Sequence, residues 1–277
     1  MSFVNLDIRF FQDHRFAAFD PSSGLETPLA GISAVLIRHP SLALSENLLP
    51  RLVDVGSLGS ESVGAVFDAI DGCLAAKRPA GVDAAFKADA SLQRVAEHLG
   101  HQSVRSLGRF GKYWVRVWDP HVLMHLLWIW PAEELRRLFG PISTWCLFLP
   151  GEIVPIERHA LAGCGVEGVE RRHQAVLDIS ILNTALAGLV WTHDEMACLG
   201  PSLWAHVALA RLDHQLHDEA DLALFARQAH RWSIDFVKHP EIKNALSMSQ
   251  DGETLYRDAL AQIDEQRMRR IEIELSA

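Results

Sequence analysis

The sequence predicts an α+β protein: an N-terminal mixed α/β lobe with a small sheet, then an all-helical C-terminal lobe. Three observations carry that expectation. Residues 1–60 alternate short apolar runs with Gly and Pro turn signals, the pattern of short strands. The second half instead spaces its apolar residues helically, with Leu222, Phe225, Ala229, Trp232 and Phe236 at intervals of 3, 4, 3 and 4. Between the two, 150–172 is rich in Gly, Pro and charge, as a boundary is. The expected division is an α/β domain over 1–155, a flexible linker over 156–172 and a helical lobe over 173–277. A chain of 277 residues is long enough for one large domain or two modest ones, each with a core of its own.

Taken in order, the turn signals are Asp20–Gly24, Arg38-His39-Pro40 and Val55–Gly59, with buried strands expected at Ala34–Ile37 and Leu52–Val55. Val63, Val66, Phe67, Ile70 and Leu74 give a helix over 63–74. Ser91–Leu99 gives another, with Gly100 in the C′ position that glycine favours. Ser106–Lys112 reads as a turn, and Tyr113–Trp118 alternates as a strand, Tyr113, Val115 and Val117 on one face. Asp119-Pro120 then opens a helix, with Asp as N-cap and Pro at N1, where a missing N–H costs nothing. Val122, Leu123, Leu126, Leu127 and Trp130 are its expected inward residues.

Pro131 begins a short helix over 132–139, with Glu133 and Glu134 in the first turn, where the macrodipole favours acid. Gly140-Pro141 stops it, and Ile142–Leu149 returns as a strand. The run 176–189 fits a strand or a buried helix equally. Thr192 and Glu195 have the spacing of a capping box. Helices are expected at 203–216, at 220–237 with Pro240 as a stop, and at 254–263, followed by a charged tail.

Composition narrows the function classes. A net charge of −9 disfavours a nucleic-acid partner, which calls for a basic face. Four widely spaced cysteines form no CxxC pair, so buried reduced thiols in a cytoplasmic protein are expected. The first residues carry charge where a signal peptide is apolar. The longest apolar run, Val122–Trp130, is interrupted by His125 and too short to span a bilayer, so no membrane partner is expected.

Fourteen histidines invite a metal site. His121 and His125 have the i, i+4 spacing that lets two imidazoles share zinc, yet Val-Leu-Met between them supplies no catalytic Glu. Surface or hydrogen-bonded histidines are the favoured reading, and no cofactor is expected. Gly163-Cys164-Gly165-Val166-Glu167-Gly168 matches GxGxxG literally, but no buried strand precedes it and no acidic residue follows at the right distance. A linker is favoured over a nucleotide loop. Eight tryptophans, including Trp114, Trp118, Trp128, Trp130 and Trp145, are expected mainly in the core, with an exposed interface patch as the alternative.

The stretch Gly111-Lys112-Tyr113-Trp114-Val115-Arg116-Val117-Trp118-Asp119-Pro120-His121-Val122-Leu123, followed by Leu138-Phe139-Gly140-Pro141-Ile142 and Trp145, resembles a family signature. The family is that of the type VI secretion adaptors, chaperones of toxic effectors. Its pattern is a Gly-basic turn, an Arg-x-aromatic-Asp-Pro-x-Val-Leu join and a Phe-Phe-Gly-Pro-like stop. Ser91–Leu99 resembles the family's short helix before the strand, and the likeness covers about 45–150.

The matching residues are Arg116, Trp118, Asp119, Pro120, Phe139, Gly140, Pro141 and Trp145. His121 stands where the family usually carries Arg. The resemblance implies a non-enzymatic adaptor that binds a cognate secreted effector and helps load it onto the VgrG spike, without being secreted itself. It brings no catalytic residues, and the matching positions read as cap, helix start and helix stop. The alternative is a metal- or nucleotide-dependent enzyme using His121 and His125 or the Gly163–Gly168 loop.

Overall fold

Short apolar segments rich in alanine build a sheet in the first of two units, Met1–His173; the second, Gln174–Ala277, is helical. The computed structural model describes residues 10, 13–19, 34–75, 82–149, 152–163 and 165–276. The expected turn at Asp20–Gly24 lies outside them.

The main sheet comprises β1 (Phe16–Phe19), β2 (Ala34–Leu36), β3 (Arg51–Asp54), β4 (Val82–Ala88), β7 (Ile142–Leu149) and β8 (Glu152–Glu157). Their order is β2-β3-β1-β4-β7-β8, with every neighbouring pair antiparallel. Every residue of β1 is buried, because it lies between β3 and β4 with both faces covered. Side chains alternate across the sheet. Ala17, Phe19, Val53, Ala85, Cys146 and Phe148 pack with Val63, Val66 and Ile70 of α1 (Ser60–Ala75). The opposite face meets α2 (Leu92–Ser103), which lies against β2 and β3. It also meets α3 (Pro120–Ile129) and α4 (Ala132–Phe139), which lie against β7. There the Trp145 ring is 4.9 Å from Phe86 and 5.3 Å from Phe139, centroid to centroid. The β8 edge carries Pro155 among its six residues, and Pro on an edge strand discourages further pairing.

Three expectations are corrected in this unit. The helix over 91–99 does not stop at Gly100 but runs to Ser103. Gly100 is a close-approach glycine: a Cβ there would lie 2.3 Å from the Arg38 carbonyl oxygen. The strand expected over 113–118 is only Lys112–Trp114, β6, paired with β5 (Val104–Ser106) as a separate two-stranded ribbon. Alternation fails after Val115 because Val117 and Trp118 are both buried, which a half-exposed strand cannot achieve. The chain turns there instead, with Val117 N–H donating to the Val115 carbonyl at 2.8 Å.

The third correction concerns the linker. Residues 152–157 form the sixth strand, in register from Leu149↔Glu152 to Thr144↔Glu157. Beyond them, Gly163 O accepts from Ala132 N at 3.0 Å, and Val166 N donates to Ile129 O at 2.9 Å. The segment 156–172 is therefore bonded into the first unit.

The ambiguous run falls into the end of α5 (Val169–Leu177) and α6 (Ile179–Leu186), broken at Asp178. The Glu195 carboxylate accepts from Thr192 N at 2.7 Å, one half of the capping box, ahead of α7 (Met196–Leu212). That helix starts and ends earlier than the 203–216 expectation. In α8 (Glu219–Trp232) the stripe Leu222, Phe225, Ala229 and Trp232 is buried, as is Phe236 just beyond. Asp218 caps α8, accepting from Ala220 N at 2.9 Å and Asp221 N at 3.2 Å. Pro240 is not a stop: it is the first residue of α9 (Pro240–Gln250). Helices α10 (Tyr256–Ala261) and α11 (Glu265–Ser276) follow. Phe225 gathers this core, 5.1 Å from Phe236 and 6.4 Å from Tyr256, ring to ring.

Candidate functional site

The motif residues occupy the joints between the ribbon, α3, α4 and β7. Asp119 accepts a hydrogen bond from His121 N at 2.9 Å, and Pro120 is the first helical residue, so the cap and helix start lie where their chemistry predicts. Arg116 faces the same carboxylate at 3.7 Å. Trp118 is fully buried, with its ring 5.7 Å from Trp114. Phe139 and Trp145 are fully buried as well, and Pro141 is half-buried.

Gly140 has φ +51, a conformation that L side chains rarely adopt. The His98 ring crowds it, with Cε1 2.2 Å from where a Cβ would be. That ring shares a 2.7 Å hydrogen bond with the Leu138 carbonyl through Nε2, and burial holds the His98 pKa below its ordinary value. Arg158 donates to Gly140 O at 2.7 Å. The stop is thus clasped from both sides, by residues the motif does not include.

His121 and His125 are not brought together as ligands. His125 is buried in α3 and its Nδ1 accepts from the Trp128 indole at 3.3 Å, whereas His121 is half-buried. Among the described residues no three His, Cys, Asp or Glu side chains are grouped as a metal ion would require. In the glycine loop, Cβ atoms at Gly163 and Gly165 would lie 2.8 Å from Trp130 O and Pro131 N respectively. These glycines let the loop pack flat against the α3–α4 junction, and a 3-10 turn at Arg158–Ala160, not a strand, precedes it. Cys164 lies outside the described residues.

Trp118, Trp130 and Trp145 are core residues, and Trp114 and Trp128 are half-buried. The indole N–H groups of Trp118 and Trp145 are buried without a partner among the described residues. Of the cysteines, Cys146 is buried, while Cys198 is exposed, contrary to expectation.

Sequence reasoning missed the buried polar centres of the second unit. Asp178 accepts from Gln174, Trp204 and Arg211. Asp221 accepts from Tyr256 N at 3.0 Å and Arg257 N at 3.1 Å, while the Tyr256 hydroxyl donates to Gln228 at 2.7 Å. A charged residue inside a largely apolar run, as Asp178 is in Val176–Leu182, was the available signal. No helix of the described residues is long and apolar enough to cross a membrane. No family model, curated protein or solved structure matches the chain.

Proposed function

We propose that this chain is a non-enzymatic adaptor chaperone of a type VI secretion system, binding a cognate toxic effector in the cytoplasm and promoting its loading onto the VgrG spike. The reading rests on the motif Arg116-x-Trp118-Asp119-Pro120 with Phe139-Gly140-Pro141 and Trp145. Its supporting observation is that these residues sit at the joints that carry the β5–β6 ribbon and turn the chain into β7, with Asp119 as cap and Gly140 as stop. Residues that cap, start and stop elements fit a scaffold that presents surface to partners. Each partner contact would need roughly 800 Å² of surface, which a unit of this size supplies. The test is affinity purification of the tagged full-length chain from its native host, with mass spectrometry of what accompanies it. A toxin and a spike protein are expected together. Recovery of neither, from cells in which both are expressed, overturns the reading.

A further inference from the structure

From His98 to Trp118 the chain carries Arg105, Arg109, Lys112 and Arg116 and no aspartate or glutamate, although the protein's net charge is −9. The structure gathers these residues on and beside the β5–β6 ribbon. Two of the cations are engaged. Arg105 donates to Gln102 at 2.7 Å and lies 4.5 Å over the Trp130 ring, and Arg116 faces Asp119. The other two, Arg109 and Lys112, are exposed and meet no acid among the described residues; Arg109 lies 5.0 Å over the Phe110 ring. Tyr113, between them and Trp114, is 41% exposed.

The backbone adds a second, independent feature. Leu107 N bonds Gly111 O at 2.8 Å, and Val115 N bonds Ser103 O at 2.7 Å. In an antiparallel pair bonded and non-bonded residues alternate, so the N–H and C=O of Lys112 and Trp114 point away from β5. Neither residue makes another backbone bond among the described residues. The outer edge of β6 therefore offers unpaired donors and acceptors beside two free cations and an exposed tyrosine.

We propose that the outer edge of β6 binds an acidic, extended segment of a partner protein as an added strand, with Arg109 and Lys112 setting its charge preference. Strand addition gives affinity through the main chain and specificity through alternate side chains. Alternate acidic residues of the incoming strand would meet the cations, and apolar residues between them would meet Tyr113. The overall acidity of the chain disfavours nucleic acid as the occupant. This inference stands on the ribbon itself and does not require the secretion reading.

The test uses the full-length protein and a fluorescent peptide alternating Glu with Val, measured by anisotropy. A peptide with Lys in place of Glu and a single-stranded oligonucleotide serve as competitors. The Glu peptide is expected to bind at low salt and to weaken by about 0.15 M, as exposed charge pairs do. R109E combined with K112E is expected to weaken it about tenfold or more while leaving the melting temperature unchanged, since both side chains are exposed. K112Q removes charge alone, whereas K112P also removes the outward N–H and is expected to cost about fivefold more. No binding of the Glu peptide, binding indifferent to the charge reversals, or equal affinity for K112Q and K112P overturns the proposal. So does tighter binding of the oligonucleotide, or self-association through the ribbon that displaces the peptide.

Discussion

Arg211 grips Asp178 with both terminal nitrogens, Nη1 to Oδ2 at 2.8 Å and Nη2 to Oδ1 at 2.7 Å. Asp178 is 1% exposed, and it also accepts from the Trp204 indole and the Gln174 amide, each at 3.0 Å. The carboxylate thus ties the start of α6 to the end of α7, with its acceptor sites filled. Satisfaction of this kind is what makes a buried charge tolerable.

Breaking that pair is costly, because the remaining partner is left without its counter-charge. Arg211→Ala is expected to lower stability by about 3–5 kcal/mol, since it strands a buried carboxylate. Chemical denaturation followed by tryptophan fluorescence measures it. A loss of only a few tenths of a kcal/mol would assign Arg211 to the surface pairs that contribute little.

In the first unit, Asp119→Ala is expected to cost about 0.5–2 kcal/mol through loss of the α3 cap. Asp119→Asn or Asp119→Ser, which keep a capping oxygen, are expected to recover most of it. A stable Asp119→Ala protein that no longer binds its partners would instead make Asp119 a contact residue.

Gly140→Ala combines two penalties, a positive φ of +51 and the His98 ring in the path of the new methyl. The expected cost exceeds about 2 kcal/mol. In a double-mutant cycle, His98→Ala relieves the steric share and leaves the backbone share. Purely additive losses would show that His98 yields freely to the methyl group.

Burial holds the pKa values of His14, His98, His206 and His214 below the ordinary 6.5. As pH falls, the unfolded chain therefore takes up these protons before the folded protein does. Stability from these groups is therefore complete above that value and is lost as pH falls from it through the folded-state values. Melting temperature is expected to drop between about pH 7.5 and about pH 5.5, a range in which unperturbed carboxylates stay ionised. A flat profile would mean that these rings titrate as they do in the unfolded chain.

Burial, with a smaller contribution from Glu157, pushes the Cys146 thiol up to about 12. Cys198 is exposed. In the native protein a thiol reagent is expected to label Cys198 and spare Cys146, which should react only on unfolding. Mass mapping of the modified residues checks this, and rapid labelling of native Cys146 would contradict it.

Much of the architecture is written in short-range chemistry. Asp119-Pro120 and Gly140-Pro141 mark element ends because caps and turns depend on residues within a few positions. The stripe from Leu222 to Phe236 declares its helical face because periodicity is a property of the chain itself. What depends on distant partners was not legible in this way. Gly100 resembles a helix end until the Arg38 carbonyl lies against it, and Gly163 and Gly165 resemble a flexible loop until they pack on Trp130 and Pro131. β6 ends at Trp114 because Val117 and Trp118 are both drawn into the core, which no alternating pattern predicts. The sequence by itself thus determined the cap at Asp119, the stop at Gly140 and the helical stripe that begins at Leu222. The tertiary structure alone decided which glycines permit close approach, which carboxylates are buried with their cations, and which strand edge stays open, because each of these is set by groups far apart along the chain.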